Sequence, residues 1–599
     1  MTKEKKVPIN YTSRDFSSIR RDLVDYARRY YPDTFRDFSE GSFGSLMIDT
    51  VSYVGDILSF YLDYQVNESF LDTSIEYNNI VRQGKQAGYS FRGATSAHGV
   101  CAFFVKVPAN STGLGPDSNY IPILKKGATV SSTANASFVL TEDLDFNEEK
   151  NVVVVAETNN TTGLPTSYAI RAFGKVASGQ FGTETAFVGA FERFKKIRLN
   201  TSDIVEILSV TDTEGHQYYE VEYLSQDVVY KNVVNRQARS ANEPAAVLKP
   251  FAVPRRFTID RDRSTTTLQF GYGSDTEINK SSVVDPSNIV LQQNGKNYVT
   301  QESFDPSKLL DTDKFGVAPS NTTLTIRYRR NAVRNTNASA GTVNVIDGFN
   351  LEFKDPTTLV ASTRSTVLGS LEVSNLEPIV GSVAAPSREQ LKQTIAGAYA
   401  AQNRAVTEQD YKSLVYSMPA QNGGIKRCSI YRDSDSFRRN LNLYVMSEDN
   451  NGRLVTTNTT IKENLKTWLT KNKMINDTID ILDAHIVNIQ VKYTAVAEIG
   501  VDKFDALVAA NEQLNILFRN KMDIGEPFSI ASIYSALNNT PEISDATSVR
   551  IVNVFGGVYS SLGYNIEENT SKDGRYINVP KNVIMEIRDL DIDIKGTIK

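Results

Sequence analysis

The chain is poor in the residues that usually carry chemistry. Its 599 residues hold two cysteines, three histidines and one tryptophan. Cys101 and Cys428 stand far apart, so a disulfide framework is excluded and two reduced thiols are the expectation. His98, His216 and His485 are isolated, and none has a second ligand at zinc spacing. An excess of positive charge is also missing. The net charge is −5, which argues against nucleic acid as a partner. No apolar run approaches the ~20 residues that span a bilayer, so no membrane insertion is expected. The basic start MTKEKKVPINYTSRDF lacks an apolar signal core, which predicts folding in a cytoplasm. Glycine (35) and proline (19) are not in excess, so wholesale disorder is not expected either.

What the chain does have is an unusually apolar helix. In EGSFGSLMIDTVSYVGDILSFYLDYQVNESFLDTSI, residues 40–75, Met47, Val51, Val54, Leu58 and Tyr61 recur at alternating steps of four and three. That is the spacing of a helix packing along a seam. Leu46, Tyr53, Ile57, Phe60 and Leu62 widen the apolar arc beyond one seam, so cover is needed on several sides. Two readings follow. The seam is the core of an internal three-helix unit with residues 15–30 and 75–87, or it is the seam of a bundle with another subunit. The flanking helices are short, which favours the second. The first of them carries Phe16, Ile19, Leu23, Tyr26 and Tyr30 on one face and stops before Pro32. The other stops at Gly88.

Beyond Gly99 the pattern turns to short strands separated by turn residues, as in VCAFFVKV, ATVSS, NVVVVAE, TTLQFGYG and LTIRYRR. Helices return at Ser387. They then alternate with strands through GIKRCSIYR, LNLYVMS, TTIKENLKTWLTKN and KFDALVAANEQLNILFRNKM. Thr407 and Asp410 form a capping-box arrangement. In RDLDIDIKGTI, Leu590, Ile592 and Ile594 alternate with aspartates, which predicts a half-buried strand with a charged outer face. The expected fold is α+β and multidomain. It comprises a flexible arm (1–12), a helical assembly segment (13–95), a β-rich middle (96–370), an α+β domain (371–455) and a C-terminal α+β domain (456–599). Ferredoxin-like topology is the expectation for the C-terminal domains.

No motif in the sequence builds a reactive site. Gly84-Lys85 lacks the upstream glycine of a phosphate loop. Gly271-Tyr272-Gly273 lacks a third glycine and reads as a tight hairpin. Asp433-Ser434-Asp435 has arginines around it and reads as a solvated loop. Two arginine clusters stand out, at 255, 256, 261 and 263 and at 327, 329, 330 and 334. They read as exposed strand faces offsetting acidic neighbours, or as docking points for acidic patches. Trp468 and the histidines read as structural. No catalytic residue, cofactor or metal ligand is assigned.

The helix in residues 40–75, followed by QAGYSF, resembles the N-terminal signature of the baseplate J-like family of contractile-tailed phages. Other segments resemble that family in its own order. They are Ile121-Pro122 with Lys126, Gly127 and Thr129; Phe270-Gly271-Tyr272-Gly273; Ala405-Val406-Thr407 with Asp410 and Tyr411; and Ile524-Gly525-Glu526. Residues 331–344 depart from the family's glycine-rich strand exit, and residues 145–260 match nothing recognisable. The resemblance implies a structural, non-enzymatic subunit of a virion tail baseplate. Two copies would join a different wedge protein through their N-terminal helices. The C-terminal domains would link neighbouring wedges into a sixfold ring around the tail hub. Assembly would take place in the host bacterial cytoplasm. The alternatives are an equivalent subunit of a phage-related injection machine and, in a different class, a tail-associated carbohydrate-binding or -cleaving protein. The lone tryptophan and the lack of repeats count against the last.

Overall fold

A computed structural model describes residues 14–33, 37, 39, 41–161, 163–234, 246–262, 265–274, 315–331, 335–433, 440–519 and 522–599. Two compact units emerge. One takes residues 1–89 with Ser387–Ile395, and the other takes Ser90–Pro386 with Ala396–Lys599.

The first unit is helical. Helix α1 (Phe16–Tyr30) starts at Asp15, whose carboxylate accepts the Ser18 N–H. The same carboxylate takes bonds from the Ser17 and Ser18 hydroxyls, which hold its pKa down to about 2. Helix α2 (Phe43–Asn67) starts at Ser42, whose hydroxyl accepts the Ser45 N–H. Helix α3 (Tyr77–Gln86) buries Ile80, Val81 and Gly84. Gly84 is needed there, because a Cβ would stand 2.8 Å from Ile395 Cδ1. The helix beginning at Arg388 is tied on by Arg388 Nη1 to the Ile75 carbonyl and by Lys392 Nζ to the Asp72 carbonyl.

The second unit begins with an antiparallel sheet in the order Val343–Gly348, Thr129–Ser132, Ser137–Leu140, Pro165–Ser178, His98–Pro108, Glu372–Ser374. Val152–Thr158 adds to the free edge of Pro165–Ser178. Asn375 joins the two ends of this sheet, since its Oδ1 accepts the Val343 N–H and its carbonyl accepts the Gly341 N–H. Cys101, Phe103, Val105, Phe138 and Ile170 fill the interior. Gly179, at φ +128°, carries the chain from this sheet into the next; a Cβ there would lie 2.8 Å from the Arg330 carbonyl. The second sheet runs Gln180–Val188, Thr322–Arg330, Ile204–Thr211, Gln217–Glu220, Arg256–Arg261, Thr266–Phe270, Lys196–Arg198. Its core includes Val210, Phe257, Leu268, Phe270 and Leu324.

The C-terminal part of this unit holds two smaller sheets. In one, Asn440–Glu448 lies between antiparallel Arg427–Arg432 and parallel Thr478–Asp483, with helix Thr459–Asn472 making the crossover. In the other, His485–Ala497 is central. Ile543–Asn553 pairs on one side, and Val583–Glu586 and Ile594–Ile598 pair parallel to it. The α+β class is thus observed, but the ferredoxin-like assignment is not confirmed. Neither sheet shows the complete βαββαβ order among the described residues.

Several local expectations change. Leu590–Asp593 is a helical turn, and the strand starts only at Ile594. The alternation misled because Asp589 and Asp593 act locally. Asp589 caps the turn, while buried Asp593 accepts the Asp589 N–H and the Tyr559 hydroxyl. A helix at Ala361–Gly369 interrupts the β-rich middle. Gly271 and Gly273 do not turn a tight hairpin. A Cβ on Gly271 would lie 2.0 Å from the Gly316 carbonyl oxygen, and that same carbonyl accepts the Tyr272 and Gly273 N–H groups. Gly271 admits a neighbouring backbone; residues 275–314 lie outside the described residues.

Candidate assembly interface

The α1–α2 hairpin reverses the usual arrangement of polar and apolar side chains. The helices run antiparallel, because Arg14 meets Asp63 (2.9 Å) while Arg20 meets Asp49 (2.5 Å). Arg20 Nη2 also donates to the Ser45 hydroxyl, and Ile19 seats against Gly55. The aspartates on this face, Asp49, Asp56 and Asp63, recur every seven residues. Charge and small side chains therefore set the register between the two helices. The residues α2 buries are Ser45 and Ser52.

The seam lies on the far side of α2. Met47, Val51, Val54, Leu58 and Tyr61 are 49–62% exposed. At about 100° per residue they occupy an arc of roughly 80°, pointing away from Ser45 and Ser52. Phe43, Leu46, Tyr53, Phe60 and Leu62 flank them and are also exposed. The apolar arc thus reaches solvent along the length of the helix. A contiguous apolar surface of this kind marks an interaction site more often than a solvated face. The structure brings all five predicted residues into one line.

One element of this region is not obvious from hydrophobic spacing. Glu68, just past the end of α2, is buried. Its carboxylate accepts Asn79 Nδ2 (2.9 Å) and the backbone N–H groups of Ile75 (2.7 Å) and Glu76. Its carbonyl accepts Gln83 Nε2. The Asn79 bond, followed by the Ile75 N–H, keeps its pKa below the ordinary glutamate range. Glu68 sets the turn from α2 into α3. The available sequence signal was a lone acidic residue among turn formers.

The arginine clusters divide. Arg327 and Arg330 are exposed, and Arg263 and Arg334 lie outside the described residues. Arg256 and Arg329 are buried, contrary to the exposed-face reading. Arg256 donates to the Leu224 and Val253 carbonyls. Arg329 pairs with Glu206 (2.9 Å) and donates to the Ser96 hydroxyl and the Ser178 carbonyl. Half-buried Arg261 donates to the Val205 carbonyl. These guanidiniums reach past the strand face to satisfy backbone groups, a use that sequence spacing does not reveal. Trp468 is half-buried and donates to the Leu414 carbonyl, with the Arg92 guanidinium over its ring. Asp433 is described, whereas Ser434 and Asp435 are not.

Cys101 and Cys428 are free thiols, and burial pushes each up to about 12. Among the described residues no group of three His, Cys, Asp or Glu side chains is placed to hold a metal ion. No helix among them is long and apolar enough to cross a membrane.

Residues 15–86 match the family model described as the N-terminal domain of bacteriophage baseplate protein. The match spans α1, α2 and α3 and agrees with the resemblance read from the sequence. No curated protein matches the chain. Among solved structures, the chain is similar to one in the sixfold-symmetrised cryo-EM structure of the anti-feeding prophage baseplate. That similarity has 9% identity and a TM-score of 0.27, covering 97% of this chain and 100% of the other. A chain of the type VI secretion TssK–TssF–TssG baseplate subcomplex is similar at 8% identity and a TM-score of 0.23, covering 74% and 96%.

Proposed function

We propose that this chain is a structural subunit of the baseplate wedge of a contractile phage tail, and that α2 is its principal assembly surface. The observation that carries the reading is the exposed seam of Met47, Val51, Val54, Leu58 and Tyr61, set within the segment that matches the baseplate N-terminal domain. Covering a half-exposed Leu or Val is favourable by roughly 1 kcal/mol per side chain, so five in line supply a strong drive to associate. The non-directional apolar term provides affinity. The heptad spacing provides register, since each seam residue seats between side chains of a partner helix.

In this reading the partners are helices of a different wedge subunit and of a second copy of this chain. The C-terminal α+β part contacts neighbouring wedges, closing a sixfold ring around the hub. The work is mechanical and positional, not catalytic. Assembly takes place in the bacterial cytoplasm and the product resides in the virion tail.

The test is native mass spectrometry of the chain captured from its natural source. Two copies bound to one larger, different subunit support the wedge. A free monomer, or a homo-oligomer without another partner, counts against it. Neighbouring genes for an injection machine instead of a phage would move the same role to that machine. Val54→Asp/Leu58→Asp should abolish capture of the partner; normal assembly by this variant would remove α2 from the interface.

A further inference from the structure

The second unit contains a joint whose construction points to a mechanical role. Strand His98–Pro108 belongs to the first of the two large sheets that together form the β body of this unit, yet the residues that lead into it are held by the C-terminal part. The Ser96 N–H donates to the Ala420 carbonyl (3.0 Å), and His98 Nε2 donates to the Gln421 carbonyl (2.8 Å). From another direction, Asn458 Nδ2 donates to the His98 carbonyl (2.5 Å). Asn458 Oδ1 meanwhile accepts the Ile461 N–H and caps helix Thr459–Asn472. One side chain therefore starts a helix of the C-terminal part and grips the first residue of a β-body strand. A second row lies beside it. Asn337 Nδ2 donates to the Glu448 carbonyl (2.8 Å), and Asn335 Nδ2 donates to the Asn450 carbonyl (3.0 Å).

The joint has no slack. A Cβ at Gly381 would stand 2.5 Å from Ile461 Cδ1, and one at Gly424 would stand 2.7 Å from Thr95 Oγ1. Gly381 also has φ +107°, a conformation other residues rarely adopt. Ser96, His98 and Asn458 are all buried. Sliding or rotating the two parts would strand several buried donors and acceptors at once, away from water. The contacts come from segments widely separated in the sequence, so no single loop can serve as a hinge. Such a junction is stable only at one angle.

We propose that this joint is a fixed-angle coupling, through which the β body and the C-terminal part of the second unit turn and unfold as one. A displacement imposed on either is delivered undiminished to the other.

The experiment uses the full chain with cysteines introduced at exposed Thr185 and Glu512 for spin labels. Both native thiols are buried and resist labelling. Pulsed electron resonance should give one narrow distance distribution in the otherwise unaltered protein. Asn458→Ala and Gly381→Val should each broaden it. Hydrogen exchange at the Ser96 and His98 amides should accelerate by about tenfold or more in Asn458→Ala. A broad distribution in the unaltered protein overturns the proposal, as does a narrow one that survives both substitutions. Circular dichroism establishes that each variant is folded. Asn458→Ala adds no bulk and keeps the test decisive if Gly381→Val fails to fold.

Discussion

The helical hairpin and the β body draw on similar side chains and use them in opposite ways. In the β body, Phe103, Phe138 and Ile170 are fully enclosed, while charge stays at the strand faces or is matched with backbone and, for Arg329, with Glu206. In the hairpin, Arg20–Asp49, Arg14–Asp63, Ser45 and Ser52 lie between the helices, and Met47, Val54 and Leu58 face outwards. The first arrangement stabilises its own fold. The second gains little from its internal contacts, because exposed ion pairs contribute only ~0–1 kcal/mol each. Its large apolar term is realised only when something covers α2. Burial, not hydrophobicity, separates the core of the β body from the candidate interface on α2.

The largest expected effect on stability is in the β body. Phe103→Ala should cost about 3–5 kcal/mol by chemical denaturation, through lost transfer energy and a cavity. A cost below 1 kcal/mol would mean that this core is loosely packed.

Acid should act next. Burial, and secondarily the charge of Arg329, lower the His98 pKa from 6.5 to about 4. The folded state therefore disfavours protonation, and the stabilising contribution is complete above the unfolded pKa. It is lost as the pH falls from about 6.5 towards 4, by roughly 2–3 kcal/mol at about pH 4.5. His98→Gln should remove this part of the pH dependence, as judged from denaturation midpoints at the two pH values. An unchanged acid slope would place the sensitivity in other groups.

A smaller loss, about 1 kcal/mol, is expected for Thr407→Ala, which breaks the capping box in which Thr407 and Asp410 bond each other's backbone. Thermal unfolding of the variant measures it.

The smallest effect on the isolated chain is expected at the seam. Val54→Asp/Leu58→Asp should shift stability by only about 0.5 kcal/mol, since both side chains are already half in water. The same pair should abolish partner capture. Substantial unfolding would show instead that α2 is an internal core, and would erase the contrast between the two regions.

The elements with strong local signals were legible in advance. The heptad steps in α2, the capping box at Thr407 and the strands around Val100–Val107 and Leu324–Tyr328 each repeat a short-range pattern. Legibility failed where a side chain acts across space or competes with its own backbone. Asp593 turned an apparent strand into a helical turn. Arg256 and Arg329 left the surface for buried carbonyls, and Gly271 made room for a distant backbone instead of turning a hairpin.

The sequence by itself determined the longer helices and strands, α2 with its wide apolar arc among them, because periodicity is a local property of the chain. Tertiary structure alone decided which face of α2 meets α1. It also decided that Asn458, His98 and Ser96 converge on one joint, and that arginine charge is spent inside the protein. These depend on tertiary contacts, some between residues hundreds of positions apart, and no local pattern encodes which donor will meet which acceptor.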